Sequence, residues 1–276
     1  MYGTVWIVAT PLGNLGDFSP RARQTLEEAD VILAEDTRRA GHLLQLAGVA
    51  GKRFLSLHEH NESSRIAEVL ALLEQGLTVA VVSDAGTPLI ADPGYRLVAA
   101  CRQQGISVVP VPGPCAPITA LMASGLPPYP FVFLGFLPRK GGDARTLLRS
   151  YAQIGATLVF FERKNRVLPT LELAFEVLGE REFCLARELT KKHEQFINGR
   201  LGQLRDFTEE LLGEVTVVIG PPEEIAATSR TDVLDRVQGM MRAGMHAKDA
   251  ARTVRDQTSG WSVKEIYELI VEQNAE

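Results

Sequence analysis

VVSDAGTPLIADPG, residues 81–94, joins a strand to a helix through a loop far longer than a turn requires. The apolar run containing Val81 and Val82 ends at Ser83–Asp84. Gly86, Pro88, Pro93 and Gly94 then fix a bent path in which few backbone angles are free. Asp92 followed by Pro93 has the form of a helix cap with proline at the first helical position. A loop of this kind presents rigid backbone donors and acceptors beside one carboxylate, Asp84. That combination suits the ribose and amino-acid parts of a charged adenosine ligand. In open α/β sheets, ligands bind beyond the carboxyl ends of the strands, where this loop lies.

The same strand–loop–helix unit recurs on either side. Val5–Thr10, Val31–Ala34, Phe54–Leu57, Val79–Ser83 and Val108–Val111 are short apolar runs, each followed by Gly, Asp, Asn or Pro. Helical patterns fill the gaps. Ser19–Pro20 marks one start, and IAEVLALLEQG (66–76) sets Ile66, Val69, Leu70, Leu72 and Leu73 on one face before Gly76 stops it. This alternation predicts an α/β fold with a parallel sheet covered on both faces. PVPGP (110–114) and LPPYP (126–130) mark a border. Beyond it, Phe131–Gly135, Thr157–Phe161, Phe183–Ala186, Gln195–Asn198 and Val215–Ile219 read as strands, with helices near 143–153, 166–178 and 207–212. The second sheet is expected to be mixed, because 183–198 reads as adjacent strands. PPEE (221–224) opens a linker to three helices, Asp232–Arg242, Ala247–Gln257 and Ser262–Glu272, the last with Ser262 and Glu265 spaced as a capping box. The expected division is an N-terminal α/β domain over 1–117, a C-terminal α/β domain over 118–224 and a helical tail over 225–276.

The chain of 276 residues is 45% hydrophobic and 23% charged, which excludes a disordered or collagen-like polymer. Its apolar runs fall far short of the roughly 20 residues that span a bilayer, and a strand-like stretch starts almost at once where a signal segment would lie. A soluble cytoplasmic protein without a membrane partner is expected. Three cysteines, Cys101, Cys115 and Cys184, are too few and too scattered for a disulfide framework or a cysteine zinc cage. A net charge of −5 argues against indiscriminate coating of nucleic acid. Residues 135–206, however, carry 13 Lys/Arg against 9 Asp/Glu, while 1–134 carry 9 against 12. A local basic surface on an acidic protein suits a selective polyanion, although a solvated helix face has the same composition.

Three further loops stand at strand ends. ATPLGNLGD (9–17) places Gly13 and Gly16 after the first strand but lacks both the P-loop and the Rossmann glycine patterns, which disfavours a nucleotide hydrolase. AEDTRRAG (34–41) brings Glu35, Asp36, Arg38 and Arg39 together, and also reads as a plain helix start with Thr37 near the cap. SLHEHNE (56–62) puts His58 and His60 on one face if the strand continues. No third histidine is near, so polar contacts to a substrate from His60 and Asn61 are favoured over a metal, and no metal is expected.

TPLGNLGD, AEDTR, LHEHNE, SDAGTPLIADPG, PGPCA and ARELTKKHE occur in this order and spacing in the tetrapyrrole methylase superfamily. The resemblance covers about residues 3–220. The AEDTR and RELTK blocks are similar to its ribosomal-RNA branch, which 2′-O-methylates a cytidine ribose of 16S rRNA, and not to its porphyrin and corrin branches. The resemblance implies two α/β domains, a homodimer, and S-adenosylmethionine bound between the domains. It also implies 16S rRNA or the 30S subunit as partner. Carried over by motif, Asp84, Ala85, Gly86, Thr87 and Ile90 cradle the methionine and ribose. Leu15 lies in the loop that closes over them, Cys115 and Ala116 meet the methionine end, and Phe161 and Leu189 flank the adenine. FFERKNR (160–166) departs from the branch's usual pattern: Glu162 and Arg166 are kept, but a serine and a histidine are replaced.

Methyl transfer to a ribose hydroxyl is an in-line displacement in which protein groups align the reactants and help remove a proton. Glu35, Asp36, His60, Asp84 and Lys191 are the candidates, with Glu35, Asp36 and Lys191 preferred. Arg38, Arg39, Arg139, Lys140, Arg163, Lys164, Lys191 and Lys192 are candidates for phosphate contacts, which position a nucleic acid without reading its sequence. Two rival readings are a C-methyltransferase of precorrin or uroporphyrin, which predicts an apolar trough, and a non-catalytic cofactor-binding protein whose tail holds RNA or a partner. RRAG, RKGG and RKNR speak against the first, and the motifs kept at every cleft loop speak against the second.

Overall fold

The computed structural model describes residues 2–58, 61–206, 213–223 and 228–275. Its first half runs β1 (Thr4–Val8), α1 (Pro20–Glu28), β2 (Val31–Ala34), α2 (Thr37–Leu46), β3 (Arg53–Ser56), α3 (Glu62–Glu74), β4 (Val79–Val81), α4 (Tyr95–Gln103) and β5 (Ser107–Val111). The strands form one sheet in the order β3-β2-β4-β1-β5, and every pairing is parallel. Alternate residues of the same strand enter different cores. Val31, Leu33, Val79 and Val81 pack with Val69, Leu72, Leu73, Leu97 and Cys101 of α3 and α4. Ile32, Ala34, Ala80 and Val82 pack on the other side with Ala22, Leu26, Ala40 and Leu44 of α1 and α2. Burial on both faces explains why these strands read as continuous apolar runs.

The second half runs α5 (Ala116–Ala123), β6 (Phe131–Phe136), α6 (Gly141–Ser150), β7 (Thr157–Arg163), α7 (Val167–Leu178), β8 (Glu182–Arg187), β9 (Gln195–Arg200) and β10 (Glu214–Ile219). Its sheet has the order β6-β7-β10-β8-β9. β6 and β7 are parallel and the other pairs antiparallel, so the sheet is mixed, with β8 and β9 adjacent as expected. Leu148 of α6 and Val167, Leu171 and Ala174 of α7 cover one face. Ala120 and Leu121 of α5 cover the other, where Leu12 from the loop after β1 joins them. A cut between 117 and 118 passes through the first turn of α5. The expected helix at 207–212 lies outside the described residues.

α8 (Arg230–Arg242), α9 (Ala247–Asp256) and α10 (Val263–Ala275) close on a core of their own around Val233, Val237, Ala251, Val254 and Ile266. The capping box is formed: Glu265 N donates to Ser262 Oγ at 3.2 Å and Ser262 N to the Glu265 carboxylate at 2.7 Å.

Two local expectations are corrected. Asp92 does not cap α4. The helix begins at Tyr95 behind Gly94, whose φ of +121° is a conformation that L side chains rarely adopt. The Gly94 N–H is satisfied by Glu62 Oε1 at 3.2 Å, which leaves Asp92 in the loop. Nor does β3 continue to His58. It ends at Ser56, where Asn61 accepts from His58 N at 2.9 Å and donates to Ser56 O at 3.1 Å, folding the chain into a turn. His60 lies outside the described residues.

Candidate active site

The strand order sets the carboxyl ends of β2, β4, β1 and β5 side by side, so the loops that leave them share one edge. They are clipped together. Thr10 and Gly86 exchange backbone hydrogen bonds at 2.9 and 3.0 Å. The buried Ser83 hydroxyl donates to Gly86 O at 3.1 Å, and Thr87 Oγ1 donates to Pro114 O at 2.9 Å. Gly86 has φ +80°, and a Cβ there would stand 2.9 Å from Leu12 Cδ2. A side chain there would strain the backbone and press on Leu12, so glycine eases the closure of these loops.

The clipped edge faces the second sheet across a cleft of about 660 Å³. Phe136, Phe161, Ala186, Glu188, Leu189, Lys191 and residues 213–216 form the opposite wall. Among the described residues, three that are not glycine adopt left-handed backbone, Leu89 (φ +71°), Glu188 (φ +50°) and Thr190 (φ +65°), and all belong to the two loops that border this cleft. Such conformations cost about 1–3 kcal/mol each and persist only where the surroundings over-determine them.

Asp36 and Glu35 are neighbours with different duties. Asp36 caps α2, accepting from Arg38 N at 2.9 Å, and pairs with the Arg38 guanidinium at 3.0 Å. Those hydrogen bonds, the side-chain one foremost, hold its carboxyl down at about 2. Glu35 lines the cleft. Asp84 pairs with Arg39 at 2.9 Å and accepts from Asp36 N at 3.3 Å. Lys191 pairs with Glu188 at 2.9 Å. Asp92 is the outlier: desolvation first, then the charges of Glu35, Asp84 and Glu214, push it up to about 6.

FFERKNR alternates across β7. Phe161 and Arg163 line the cleft, while Glu162 points behind the sheet with 1% of its side chain exposed. There it accepts from Thr170 Oγ1 at 2.8 Å and lies 3.4 Å from Arg166, which itself donates to Pro138 O at 3.1 Å. The two residues kept from the motif therefore anchor the start of α7 behind the cleft.

Of the residues singled out from sequence, the cleft gathers Asp84, Ala85, Gly86, Thr87, Ile90, Cys115, Ala116, Phe161 and Leu189, with Glu35, Lys191, Arg39 and Arg163. Leu15 does not line it; it sits half-exposed in a short 3₁₀ turn, and Leu12 occupies the lining position. Asp36, Arg38, Asn61, Lys164 and Lys192 also lie outside the lining. Leu12, Asp92, Phe136, Glu188 and Glu214 are lining residues that sequence reasoning missed. Cys101 and Cys184 are buried away from the site, and burial pushes the Cys184 thiol up to about 11. Among the described residues, no group of three or more His, Cys, Asp or Glu side chains is placed to hold a metal ion, and no helix is long and apolar enough to cross a membrane.

Comparison with known proteins places this geometry among relatives. Residues 4–205 match the family described as tetrapyrrole (corrin/porphyrin) methylases. A protein of Synechocystis sp. named ribosomal RNA small subunit methyltransferase I is 43% identical over 279 residues, covering 99% of both chains. The protein of that name from Escherichia coli O157:H7 is 41% identical, covering 98% of this chain and 96% of its own. The one from Thermotoga maritima is 47% identical over 223 residues, which is 80% of this chain and all of the relative. Among solved structures, the methyltransferase CobJ superposes with a TM-score of 0.60 at 21% identity, over 82% of this chain and 96% of its own. A uroporphyrin-III C-methyltransferase from Thermus thermophilus, solved with S-adenosylhomocysteine, gives 0.58 at 19%, over 79% and 97%. At such identities these two structures speak for the fold alone.

Proposed function

The chain belongs to the tetrapyrrole methylase family, and from that premise we propose that it transfers a methyl group from S-adenosylmethionine to a cytidine ribose 2′-hydroxyl in 16S rRNA. The observation that carries this reading is near-full-length similarity, at 41–47% identity, to proteins named for methylation of small-subunit rRNA. The cleft supports it. The approach of Leu12 to Gly86 and the left-handed Leu89, Glu188 and Thr190 make a cradle of backbone at the carboxyl edge of the sheet. Its carboxylates favour a ligand with a positive centre.

S-adenosylmethionine supplies a methyl on a sulfonium, and transfer breaks the S–C bond as the O2′–C bond forms. The residues of this chain orient the two reactants and receive the proton of the hydroxyl. Ala85, Gly86, Thr87, Ile90, Cys115 and Ala116 hold the methionine and ribose, and Phe161 and Leu189 hold the adenine. For the proton, Asp36 is committed to its helix cap, Lys191 to Glu188 and Asp84 to Arg39, while Glu35, Asp92 and Glu214 also line the cleft. Asp92 is the best acceptor, because a carboxyl titrating at about 6 is both ionised at neutral pH and basic enough to take a proton. Arg39 and Lys191 position phosphates at the rim.

The reading includes a homodimer acting in the cytoplasm, with exposed Ile118 and Met122 of α5 among the apolar side chains that a second copy would cover. It divides the chain into two α/β domains meeting near 117 and a helical tail from about 225. Tetrapyrrole C-methylation is the alternative suggested by the structural neighbours; the near-full-length similarity to proteins named for small-subunit rRNA favours the ribose reading.

Tritiated methyl transfer to 30S subunits and to free 16S rRNA lacking the modification tests the proposal. Label in a 2′-O-methylcytidine derivative is expected; cofactor binding with no label on either substrate overturns it.

A further inference from the structure

The pairing of β6 with β7 contains an irregularity that decides what the cleft wall presents. Phe133 stands opposite Val159, but Phe136 stands opposite Phe161, so three steps on β6 match two on β7. The extra residue is accommodated at Gly135, whose φ is +64° and around which a Cβ would meet nothing within 4 Å. Glycine is therefore there for its backbone angle and not for lack of space. In a regular strand, residues three apart point to opposite faces. Here Phe133 and Phe136 fall on the same face, and both meet Phe161, at centroid distances of 5.1 and 5.3 Å. Bulges of this sort re-aim side chains beside functional sites.

The result is a graded run of three rings. Phe133 is packed against the buried cluster under α5, Phe161 lines the cleft, and Phe136 stands at its mouth with 46% of its surface exposed. Exposing a phenyl face is unfavourable unless something covers it. Cations stand on both sides of it in the chain, although Glu214 lies opposite Arg163 in the strand register. Arg163 follows Phe161 by two residues on β7 and also lines the cleft, and the chain after Phe136 runs through Leu137 and Pro138 to Arg139 and Lys140. None of Arg163, Arg139 and Lys140 has an acidic partner among the described residues, unlike Arg38, Arg39 and Lys191. An exposed ring flanked by unpaired cations is how proteins bind single-stranded nucleic acid: the base stacks on the ring and the cations take the phosphates.

We propose that Phe136 is the stacking platform for a base of the RNA strand, with Arg163 on one side and the Arg139–Lys140 loop on the other holding the adjoining phosphates. This deepens the functional reading above and rests on RNA being the substrate.

The test uses the full-length protein and a short single-stranded RNA whose cytidines are replaced by pyrrolocytidine, which loses fluorescence on stacking. Wild type is expected to bind and quench it. Phe136→Ala is expected to bind roughly tenfold more weakly without the quench, while Phe136→Trp keeps both. Because Phe136 packs on Phe161, Phe136→Ala is expected to lose some affinity for S-adenosylhomocysteine, measured by calorimetry, but less than it loses for RNA. Unaltered binding and quench in Phe136→Ala overturn the inference. So does a loss of S-adenosylhomocysteine affinity in place of RNA affinity, which would make the ring an adenine contact, and so does failure of wild type to bind the RNA. Quench that depends on Phe136, combined with no methyl transfer to ribosomal substrates, would leave this inference standing and remove the functional reading.

Discussion

Gly13 and Lys191 are in contact although they belong to loops of different sheets: a Cβ added at Gly13 would run into Lys191 Cγ and stand 3.0 Å from its Cε. The loop after β1 and the loop after β8 are thus seated on each other at the cleft, and Lys191 is held there further by Glu188.

Gly13→Ala should therefore displace the Lys191 loop. Binding of S-adenosylhomocysteine is expected to weaken roughly tenfold, about 1.4 kcal/mol, with little change in the unfolding temperature. Titration calorimetry decides it, and an unchanged Kd would mean that the contact has no bearing on the ligand.

Asp92 gives a pH signature. As the proton acceptor it works ionised, so the rate should rise with pH through about 6, and Asp92→Asn should give a low, flat profile over the same range. Stability runs the other way. A carboxyl raised from 3.8 to about 6 binds its proton more tightly folded than unfolded, so stability is lost as pH climbs between those values. Asp92→Asn should consequently raise Tm at pH 8 relative to wild type and have no such effect near pH 3.5. A rate profile indifferent to the substitution would remove Asp92 from the chemistry.

Behind the sheet, Glu162→Ala strips a buried carboxylate from Thr170 and Arg166. Since Arg166 keeps some access to water, the expected cost is roughly 2–3 kcal/mol, a fall in Tm of about 5 °C or more. Glu162→Gln, which can still accept from Thr170, should lose less. Equal losses in the two variants would assign the whole effect to the charge.

The tail has its own core, and among the described residues its side-chain hydrogen bonds stay within it, as from Trp261 Nε1 to Thr228 O at 2.6 Å. Truncation after residue 223 is expected to leave a folded protein that binds S-adenosylhomocysteine within about twofold of wild type. Circular dichroism and calorimetry check this. A truncated chain that fails to fold would show that the three helices support the rest.

Most of the architecture was legible in the sequence, for a physical reason. Strands such as Val31–Ala34 are buried on both faces and carry an unbroken apolar signal, and starts such as Ser19–Pro20 write their hydrogen bond into the residue types: Ser19 accepts from Ala22 N as its position predicts. The loops at the strand ends were legible too, because turns with fixed glycines and prolines stand out. What stayed hidden depended on a single dihedral or on competition between neighbours. Gly94 at φ +121° delays α4 and releases Asp92 from its expected cap. Glu35 and Asp36 are chemically alike, and only the helix start decides that one is spent as a cap while the other faces the cleft. Asn61, expected to touch substrate, is occupied in holding its own turn.

The bulge in β6 also sets which changes the strand tolerates. Were residues 133–136 to run as regular strand, Phe136 would turn to the back of the sheet and the buried Leu137 would come to the front, whereas deletion of Gly135 would leave Phe136 two steps from Phe133 and still on the cleft face. At this one position a replacement that cannot hold φ +64° is more consequential than a deletion, and that single backbone angle matters to the ring run as much as the phenylalanines themselves.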